Sequence, residues 1–518
     1  MSGLSPPPSV SGMAPDVLAA MSQPEFYPGA RGDVVIRETL ISWVFLAGPR
    51  AYKLKKPVTL PYLDHSTPER RRRACEDEVR LNRRLAPERY LGVRAIVPAG
   101  AGYALAGADA PAAVDYVVEM TRFDERRTLA AAIAARRVHP ADIVQLAATL
   151  ARFHAHARPA SPADAVGDVE RVAAGNFGVL DDRRDGLDVT RLDAAERFVA
   201  SGLRDWADVI GARACEGHVR DGHGDLRAEH VLLGDPLEIV DCVEFDDALR
   251  TIDVGADLAF LVMDLTRLGR QDLAWELVGA YRRAGGDPGP DALVAFHASM
   301  RAHVRAKVAV LGGKLEEARG LLVIGDRLAW RARLPLVLVV CGVPASGKSH
   351  LAAALAGHSG LPIVSSDVTR KELAGVELDE PAPPSAYGRE MTRRTYTELG
   401  ARAVEELNRT GGVIVDATFR RAEDRHEFAG ALGGKARPVY VECRAPPDVL
   451  AVRALVRAAA GPGPSDAGVA EVARLAAEWE PLTEVPRFSV DTDRPPADVL
   501  DEVTAGLDRH DAACATAS

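Results

Sequence analysis

The stretch LVLVVCGVPASGKS, residues 336–349, decides the fold of the C-terminal part of the chain. An apolar run leads directly into the pattern Gly-x-x-x-x-Gly-Lys-Ser, and the helix-forming run Leu351 to Ala356 follows it. A strand, a glycine-rich turn and a helix in this order aim backbone N–H groups and a helix N-terminus at phosphate oxygens. The stretch therefore predicts a phosphate-binding loop (P-loop).

The eight residues of this loop are predicted to surround the phosphates of a nucleotide. They are Gly342, Val343, Pro344, Ala345, Ser346, Gly347, Lys348 and Ser349. Lys348 can reach the β- and γ-phosphates, and the hydroxyl of Ser349 can ligate Mg²⁺. ATP and Mg²⁺ are the cofactors that this pattern indicates.

Short apolar runs alternate with helical patterns from residue 334 onward, which is typical of a parallel sheet with crossover helices. The predicted strands are Leu336–Val340, Ile363–Val364, Val413–Val415, Val439–Val441 and Phe488–Val490. The pattern before residue 333 is different, with strands first and then a mostly helical body. We therefore predict a domain boundary near residue 333.

Acidic residues follow two of these strands, at the edge where ligands bind in open parallel sheets. Asp367 is predicted to act on an acceptor hydroxyl as a catalytic base, and Arg370 to hold an anionic group of the acceptor. Asp416 is predicted to hold Mg²⁺ through water or to contact the acceptor. Arg453 and Arg457 share one helix face and are predicted to close over the phosphates.

On these residues, residues 334–505 resemble the small P-loop kinases related to polynucleotide-kinase and gluconate-kinase domains. The matching parts are the loop 342–349, Ser366-Asp367 with Arg370, the run Val415-Asp416-Ala417-Thr418-Phe419 and the arginine helix. The resemblance implies a second kinase site in this part of the chain. It leaves the acceptor open.

A second candidate site lies upstream. His223-Gly224-Asp225 precedes a short apolar run, and Ile239-Val240-Asp241 places another acid at a strand end. In a phosphoryl-transfer site one acid accepts the hydroxyl proton or orients the nucleophile, and another holds Mg²⁺ against the phosphates. We assign the first role to Asp225 and the second to Asp241.

Together with Lys53 on a strand and Glu78 on the next helix, these residues resemble the aminoglycoside phosphotransferase family, whose fold is protein-kinase-like. The resemblance covers roughly residues 30–310. It implies that Lys53 contacts the α- and β-phosphates and that Glu78 orients it. Lys55 competes with Lys53 because alternate residues of a strand point to one face. Glu76 likewise competes with Glu78.

The resemblance also assigns Asp257 to a later family aspartate and Glu119-Met120-Thr121 to the hinge under the adenine. Two features depart from the family pattern. His230 occupies the position of the metal-binding asparagine, and no typical glycine-rich loop precedes Lys53. Activity of this site is therefore open at the level of the sequence.

The bulk composition sets limits on the class of protein. A chain of 518 residues is expected to form two or more domains, and a formal net charge of -10 disfavours nonspecific binding to nucleic acid or anionic membranes. Six scattered cysteines and the absence of a long apolar run favour a cytoplasmic protein. The predicted segments are a flexible tail at 1–24, a kinase domain with a helical linker at 25–333, a P-loop domain at 334–509 and a tail at 510–518.

The whole arrangement resembles bacterial proteins described as bifunctional aminoglycoside phosphotransferase/ATP-binding proteins. The first hypothesis is an ATP-dependent phosphotransferase whose N-terminal domain phosphorylates a hydroxyl of a small molecule. An amino sugar is one candidate for this acceptor, because Asp246, Asp247 and Asp253 lie near Asp241 in the sequence and could pair with ammonium groups. The C-terminal domain would be a second kinase. Two alternatives remain: the N-terminal domain is a binding or regulatory module, or the chain is an ATP-dependent stress-response switch with a protein partner.

Overall fold

The computed structural model describes residues 15–60, 63–160, 162–459 and 469–515. The strands are β1 (Val35–Glu38), β2 (Ser42–Ala47), β3 (Arg50–Lys55), β4 (Thr59–Leu60), β5 (Leu63–Asp64), β6 (Tyr90–Ala99), β7 (Gly102–Gly107), β8 (Asp115–Thr121), β9 (Val219–Asp221), β10 (Val231–Leu232), β11 (Glu238–Ile239), β12 (Thr251–Asp253), β13 (Leu336–Cys341), β14 (Ile363–Ser365), β15 (Gly412–Asp416), β16 (Pro438–Arg444) and β17 (Arg487–Asp491).

The α-helices are α1 (Pro15–Met21), α2 (Pro68–Asn82), α3 (Leu129–Ala134), α4 (Pro140–His156), α5 (Ala165–Asp181), α6 (Val189–Asp205), α7 (Ala207–Cys215), α8 (Asp247–Arg250), α9 (Val254–Arg267), α10 (Gln271–Arg283), α11 (Asp291–Leu311), α12 (Leu315–Ala332), α13 (Lys348–Ser359), α14 (Ser366–Ala374), α15 (Arg389–Thr410), α16 (Ala422–Leu432), α17 (Pro447–Ala459), α18 (Val469–Ala477) and α19 (Pro496–Ala515). Short 3₁₀ turns lie at Pro24–Phe26, Glu125–Arg127, Arg184–Gly186 and Pro384–Tyr387.

Residues Met1–Ala165 and Val209–Pro290 form the first of two compact units. Its main sheet is antiparallel, with the strand order β1-β2-β3-β8-β6-β7. Adjacent residues of β8 enter two different cores: Val117 packs with Phe45 and Leu54, and Val118 packs with Cys75 and Val79 of α2. The period of two in β8 thus buries both faces of the sheet.

The N-terminal tail is shorter than predicted. Pro15–Met21 is helical, and Val17 and Met21 are buried against the sheet core that contains Phe45. The apolar pair at i and i+4 lies on one helix face, which gives this segment a surface to bury. Residues 1–14 of the predicted tail lie outside the described residues. At the other end, α19 continues past the predicted limit of 509 to Ala515.

Two short antiparallel ladders frame the His-Gly-Asp segment of the first unit. Strand β9 pairs with β12, and β10 pairs with β11. The segment His223 to His230 therefore connects β9 to β10, and Asp241 lies two residues beyond β11. Helix α9 is buried along nearly its whole length, and its residues Asp257 and Asp264 accept hydrogen bonds from the backbone of this segment.

Residues Val166–Asp208 and Asp291–Ser518 form the second compact unit. Its sheet is parallel, with the order β14-β15-β13-β16-β17, so all five predicted strands are present. Leu338 and Val340 face a core that includes α13 and α19, whereas Val337 and Val339 face a core that includes α15 and α16. This confirms the predicted fold class, a kinase-like α+β part followed by an α/β P-loop part.

The helices α5, α6, α11 and α12 group with the P-loop sheet rather than with the antiparallel sheet. Ser201 of α6, for example, donates a hydrogen bond of 2.9 Å to the carbonyl oxygen of Asp508 in α19. Arg333 pairs with the carboxylate of Asp508 at 2.6 Å. The domain boundary near residue 333 stays a prediction. The two compact units instead meet along the chain at residues 165/166, 208/209 and 290/291.

Candidate functional sites

In the first unit, the ammonium group of Lys53 lies between two carboxylates. Its Nζ donates to Glu78 Oε1 at 2.9 Å and to Asp241 Oδ1 at 2.8 Å. Strand β3 presents Lys53, α2 presents Glu78, and the segment after β11 presents Asp241. The structure therefore brings together three predicted site residues that are up to 188 positions apart in the chain.

Lys55 has a separate set of partners. It is fully buried and contacts Glu244, while its Nζ lies 2.5 Å from Glu78 Oε2. Both lysines thus reach Glu78, as the alternation in β3 predicts. Only Lys53 also reaches Asp241 and keeps 13% of its side chain exposed. The position of Lys53 is the one that a phosphate could reach.

These contacts determine the charge of the site. Burial acts to raise the pKa of Glu78 and of Asp241, but the neighbouring Lys53 holds each pKa below its usual range, with help from Lys55 at both groups. Burial acts to lower the pKa of Lys53, and the carboxylates of Asp241 and Glu78 raise it well above its usual value. All three groups are therefore ionised near neutral pH.

Asp225 lies in the loop between β9 and β10, where Arg227 and His230 surround it. Arg227 Nε donates to Asp225 Oδ2 at 3.0 Å. The His230 ring contacts the Asp225 backbone carbonyl through Nδ1 at 2.9 Å and Arg227 Nη2 through Nε2 at 2.9 Å. Because guanidinium can only donate, Nε2 is the acceptor and Nδ1 carries the proton.

Asp257 holds this loop in place from α9. Its carboxylate accepts hydrogen bonds from the backbone N–H groups of His223 at 2.7 Å and Gly224 at 2.9 Å. Although burial acts to raise the pKa of Asp257, the hydrogen bond from His154 is the largest of the contacts that hold it well below its usual range. Asp264, two helical turns further along α9, accepts from the Ala228 N–H at 2.9 Å. The loop is therefore fixed by buried carboxylates.

Asp241 is suited to hold Mg²⁺. Its side chain is 45% exposed, and its backbone has the positive φ of 63°, a conformation that Asp adopts more readily than most residues. Its Oδ1 accepts from Lys53, and its Oδ2 lies 3.6 Å from His230 Nε2. A hard carboxylate oxygen in an accessible position fits this ion, which takes few ligands from protein and the rest from water and phosphate.

Two further predictions can be compared with the structure here. Glu119 of the proposed hinge accepts a hydrogen bond from the Tyr52 hydroxyl at 3.3 Å. The acids proposed for an amino-sugar pocket have structural contacts: Asp246 caps α8, Asp247 pairs with Arg250, and Asp253 pairs with Arg213. They give no separate support to a cationic acceptor.

In the second unit, the P-loop follows β13 and leads into α13. Gly347 caps this helix with φ of 85°, which favours glycine, and a Cβ on Gly342 would lie 2.7 Å from the Cys443 carbonyl oxygen. Lys348 is buried at the first helical position. The loop is fastened from the far side by Thr492, whose hydroxyl donates to the Ser346 carbonyl at 2.7 Å.

Asp416 ends β15 next to the P-loop, since β15 and β13 are paired with Val340 opposite Asp416. Burial raises the pKa of Asp416, and the charge of Lys348 and a hydrogen bond from Ser349 oppose that rise. Among the described residues, its Oδ1 is buried and lacks a hydrogen-bond partner. A buried unsatisfied carboxylate oxygen beside Ser349 fits a site for Mg²⁺ or for a water molecule that the ion holds.

Asp367 and Arg370 line a cleft of about 440 Å³ that also contains Lys348. Arg370 donates to the Ala386 carbonyl at 2.8 Å, and its guanidinium lies over the ring of Tyr387. More cationic side chains border this cleft than anionic ones. They include Arg389, Arg393, Arg420, Arg421 and Arg474. The predicted acceptor residues therefore lie on one side of the P-loop.

Arg453 lies on another side. Its guanidinium donates to the hydroxyl and the carbonyl oxygen of Thr492, at 3.0 and 2.8 Å. It lines a second cleft, of about 380 Å³, with Gly347, His350 and Pro496. This places Arg453 beside the start of α13. The side chain of Arg457 lies outside the described residues.

Several residues at these sites were not found from the sequence. They are Arg227, Glu244, Asp264, Thr492 and Arg84, which donates to the carbonyl oxygens of Asp221 and Gly222. Arg227 lies inside the predicted loop and Glu244 only three residues after Asp241, so their positions near the site were available from spacing. The contact of Glu244 with Lys55 was not, because it joins segments distant in sequence, whereas Arg227 contacts Asp225 and His230 of its own loop.

Comparisons with known proteins found a family model for the P-loop part of the chain and relatives of most of the chain. The family described as "AAA domain" matches residues 337–482. Uncharacterized proteins of Mycobacterium tuberculosis and Mycobacterium bovis are 35% identical over 468 residues, which is 86% of this chain and 90% of theirs. The chain belongs to the family of these mycobacterial proteins.

Parts of this chain are similar to solved structures, two of which cover different shares of it. A gluconokinase from Sinorhizobium meliloti 1021 is 23% identical, with a TM-score of 0.28, over 36% of this chain and 99% of its own. A choline/ethanolamine kinase family protein from Mesorhizobium loti is 15% identical, with a TM-score of 0.37, over 60% of this chain and 93% of its own.

The predicted P-loop domain is confirmed by the family match and by the parallel sheet. The predicted kinase-like N-terminal fold is confirmed by the sheet, the Lys53–Glu78 pair and the loop that carries Asp225. The AAA domain match over residues 337–482 agrees with the prediction that the P-loop binds ATP. None of the helices in the described ranges combines the length and the apolar character needed to cross a bilayer.

Proposed function

We propose that the chain is a bifunctional kinase with two ATP sites, one in each compact unit. The observation that carries this proposal is the position of Lys53, whose ammonium group contacts Glu78 and Asp241 at the same time. A phosphate-binding lysine, its orienting glutamate and a metal-binding aspartate are the parts that a protein-kinase-like site requires.

At the N-terminal site, Asp225 accepts the proton of a hydroxyl on a small-molecule acceptor. Arg227 holds Oδ2 of Asp225 and leaves the other oxygen for the acceptor. Asp241 would hold Mg²⁺, which supplies positive charge to the nucleotide phosphates. Lys53 binds the phosphates in place of its present contact with Asp241. An amino sugar remains one candidate for the acceptor.

At the P-loop site, Lys348 and the backbone of residues 342–349 bind the phosphates, and Ser349 and Asp416 would hold Mg²⁺. Asp367 accepts the proton of the acceptor hydroxyl. The arginine-lined cleft supports an acceptor with an anionic group, which Arg370 would hold. We keep Arg453 as a nucleotide contact because it lies beside Gly347.

The test is a screen of the full chain with radiolabelled ATP against pooled metabolites and aminoglycosides. It is repeated with Lys53→Met and with Lys348→Ala, so that each site is silenced in turn. We expect some acceptors to be lost with one variant and others with the second. If every transfer survives Lys53→Met, only the P-loop site is catalytic, and the N-terminal unit is a binding or regulatory module.

Hydrolysis of ATP without transfer to any pool would instead favour the nucleotide switch with a protein partner. The two variants separate this outcome as well, because a switch driven by the P-loop alone would lose hydrolysis only with Lys348→Ala. A matched control is Lys435→Ala, which removes an exposed lysine of the same unit. It should change none of these activities.

A further inference from the structure

His230 stands where the family pattern has a metal-binding asparagine, and its contacts do not suit that role. Its Nδ1–H donates to the Asp225 carbonyl, and its Nε2 accepts from Arg227. Both ring nitrogens are therefore used within the loop. The side chain is also buried, with 7% exposed. A second Mg²⁺, which prefers hard oxygen ligands, does not fit this residue.

Arg227 brings a fixed positive charge to the same place. Its guanidinium contacts Asp225 through Nε, Glu229 through Nη1 and His230 through Nη2. The side chain is 16% exposed, so these contacts form in a largely water-excluded position. Burial acts to lower the pKa of Arg227, but the carboxylates of Asp225, Glu229 and Asp241 raise it. The guanidinium is thus charged at every accessible pH.

We propose that the Arg227 guanidinium, held by His230, takes the place of a second bound cation, so that the N-terminal site binds nucleotide with a single metal ion at Asp241. The inference rests on the proposed function of that site. The charge that a second ion would bring beside Asp225 is already supplied by the protein. Arginine is suited to this because its planar donors contact several oxygens in a fixed geometry and it cannot lose its proton.

His230 acts here as a positioning residue. A neutral imidazole with its proton on Nδ1 offers Nε2 to Arg227 and keeps the guanidinium turned toward Asp225. An asparagine at position 230 would offer a carboxamide oxygen, a hard ligand that a divalent ion can use. Once Arg227 is also removed, the exchange of His230 for Asn is therefore expected to admit a second ion.

The experiment counts Mn²⁺ ions per bound AMP-PNP, with free Mn²⁺ measured by electron paramagnetic resonance. The full chain carries Lys348→Ala and Ser349→Ala to weaken the P-loop site. Metal and nucleotide that remain bound when Lys53→Met is added are subtracted, so that only the N-terminal site is counted. We expect a single ion per nucleotide in this background and two ions when Arg227→Met and His230→Asn are combined.

Two ions in the background, or a single ion in the combined variant, would overturn the inference. Arg227→Lys, which keeps a cation, should keep the single ion, and Arg126→Met, at an exposed arginine paired with Asp124, is the matched control. If the combined variant does not fold, His230→Asn alone decides: the guanidinium remains, so a second ion would count against the proposal. If adding Lys53→Met removes no bound AMP-PNP, the N-terminal ATP site itself is refuted.

Discussion

At the N-terminal site the buried carboxylate of Glu78 and the carboxylate of Asp241 already face lysines, whereas at the P-loop site one oxygen of the buried Asp416 carboxylate lacks a partner among the described residues. The pKa shifts follow this difference. The lysines hold the pKa of Glu78 and Asp241 down, and burial raises the pKa of Asp416. At the N-terminal site the carboxylates are paired with lysines of the protein. At the P-loop site one oxygen of Asp416 has no hydrogen-bond partner among the described residues.

This difference has a consequence for ligand binding. To receive a nucleotide, Lys53 must exchange the carboxylate of Asp241 for a phosphate, and Asp241 must exchange Lys53 for a cation. The P-loop site needs no such exchange, because its anion-binding loop and its unsatisfied Asp416 gain partners directly. We therefore expect binding to be linked to rearrangement at the first site and to stabilisation of the fold at the second.

The largest effect is expected for Asp225→Asn, which keeps the shape of the side chain but removes its capacity to accept a proton. Phosphotransfer by the N-terminal site, measured in the full chain with Lys348→Ala, should fall by a factor on the order of 10² to 10⁴. The melting temperature should change little. Glu229→Gln is the control, since it changes the neighbouring acid that also pairs with Arg227. Full turnover in Asp225→Asn would remove this residue from the chemistry.

The second prediction concerns the balance of charge around Glu78. Lys55→Met should destabilise the protein by about 3–5 kcal/mol, because it leaves the buried Glu78 and Glu244 with one lysine fewer. Lys53→Met should cost less, since Glu78 keeps Lys55 and Asp241 is partly exposed. Chemical denaturation of the two variants measures this. Equal losses would show that the two lysines share the structural role.

The third prediction concerns the P-loop. Lys348→Ala should weaken ATP binding at least tenfold, or by about 1.4 kcal/mol or more, because it removes the cation that faces the phosphates. Calorimetry on the full chain with Lys53→Met isolates this site. The control Lys435→Ala should leave the affinity unchanged. An unchanged affinity in Lys348→Ala would contradict the assignment of this loop.

The smallest effect is expected for Asp416→Asn. The folded protein binds the Asp416 proton more tightly than the unfolded chain does, so ionisation of this group lowers the free energy of unfolding as pH rises above the ordinary Asp pKa of about 3.9. Removing the ionisable group should therefore make the ligand-free protein slightly more stable at about pH 8, and its stability should depend less on pH.

Thermal unfolding between about pH 4 and about pH 8 measures this dependence. The exposed Asp379→Asn is the control. The same Asp416→Asn variant should gain less stability from Mg-ATP than the parent does. A variant that is less stable than the parent at every pH would show that the Asp416 carboxylate serves the fold, which would remove the contrast with the N-terminal site.

The sequence by itself determined the parts of this protein whose chemistry lies within one short segment. The P-loop is a local pattern, since strand, turn and helix follow one another directly, and the five parallel strands are apolar runs bounded by turns. His223-Gly224-Asp225 and Asp241 were found in the same way, because the first precedes a short apolar run and the second follows one. A local signal is sufficient wherever neighbours in the sequence are also neighbours in space.

Only the tertiary structure decided which charges meet. Strand alternation places Lys53 and Lys55 on one face, and only packing shows that Lys55 is closed in by Glu244 while Lys53 reaches Asp241. Arg71, in the charged run Arg70–Arg73 of α2, is fully buried and pairs with Asp115, which a run of charged residues does not by itself indicate. The role of His230 likewise depends on Arg227 and a backbone carbonyl. Because the energy of a buried charge depends on partners brought together by the fold, composition and spacing alone do not determine it.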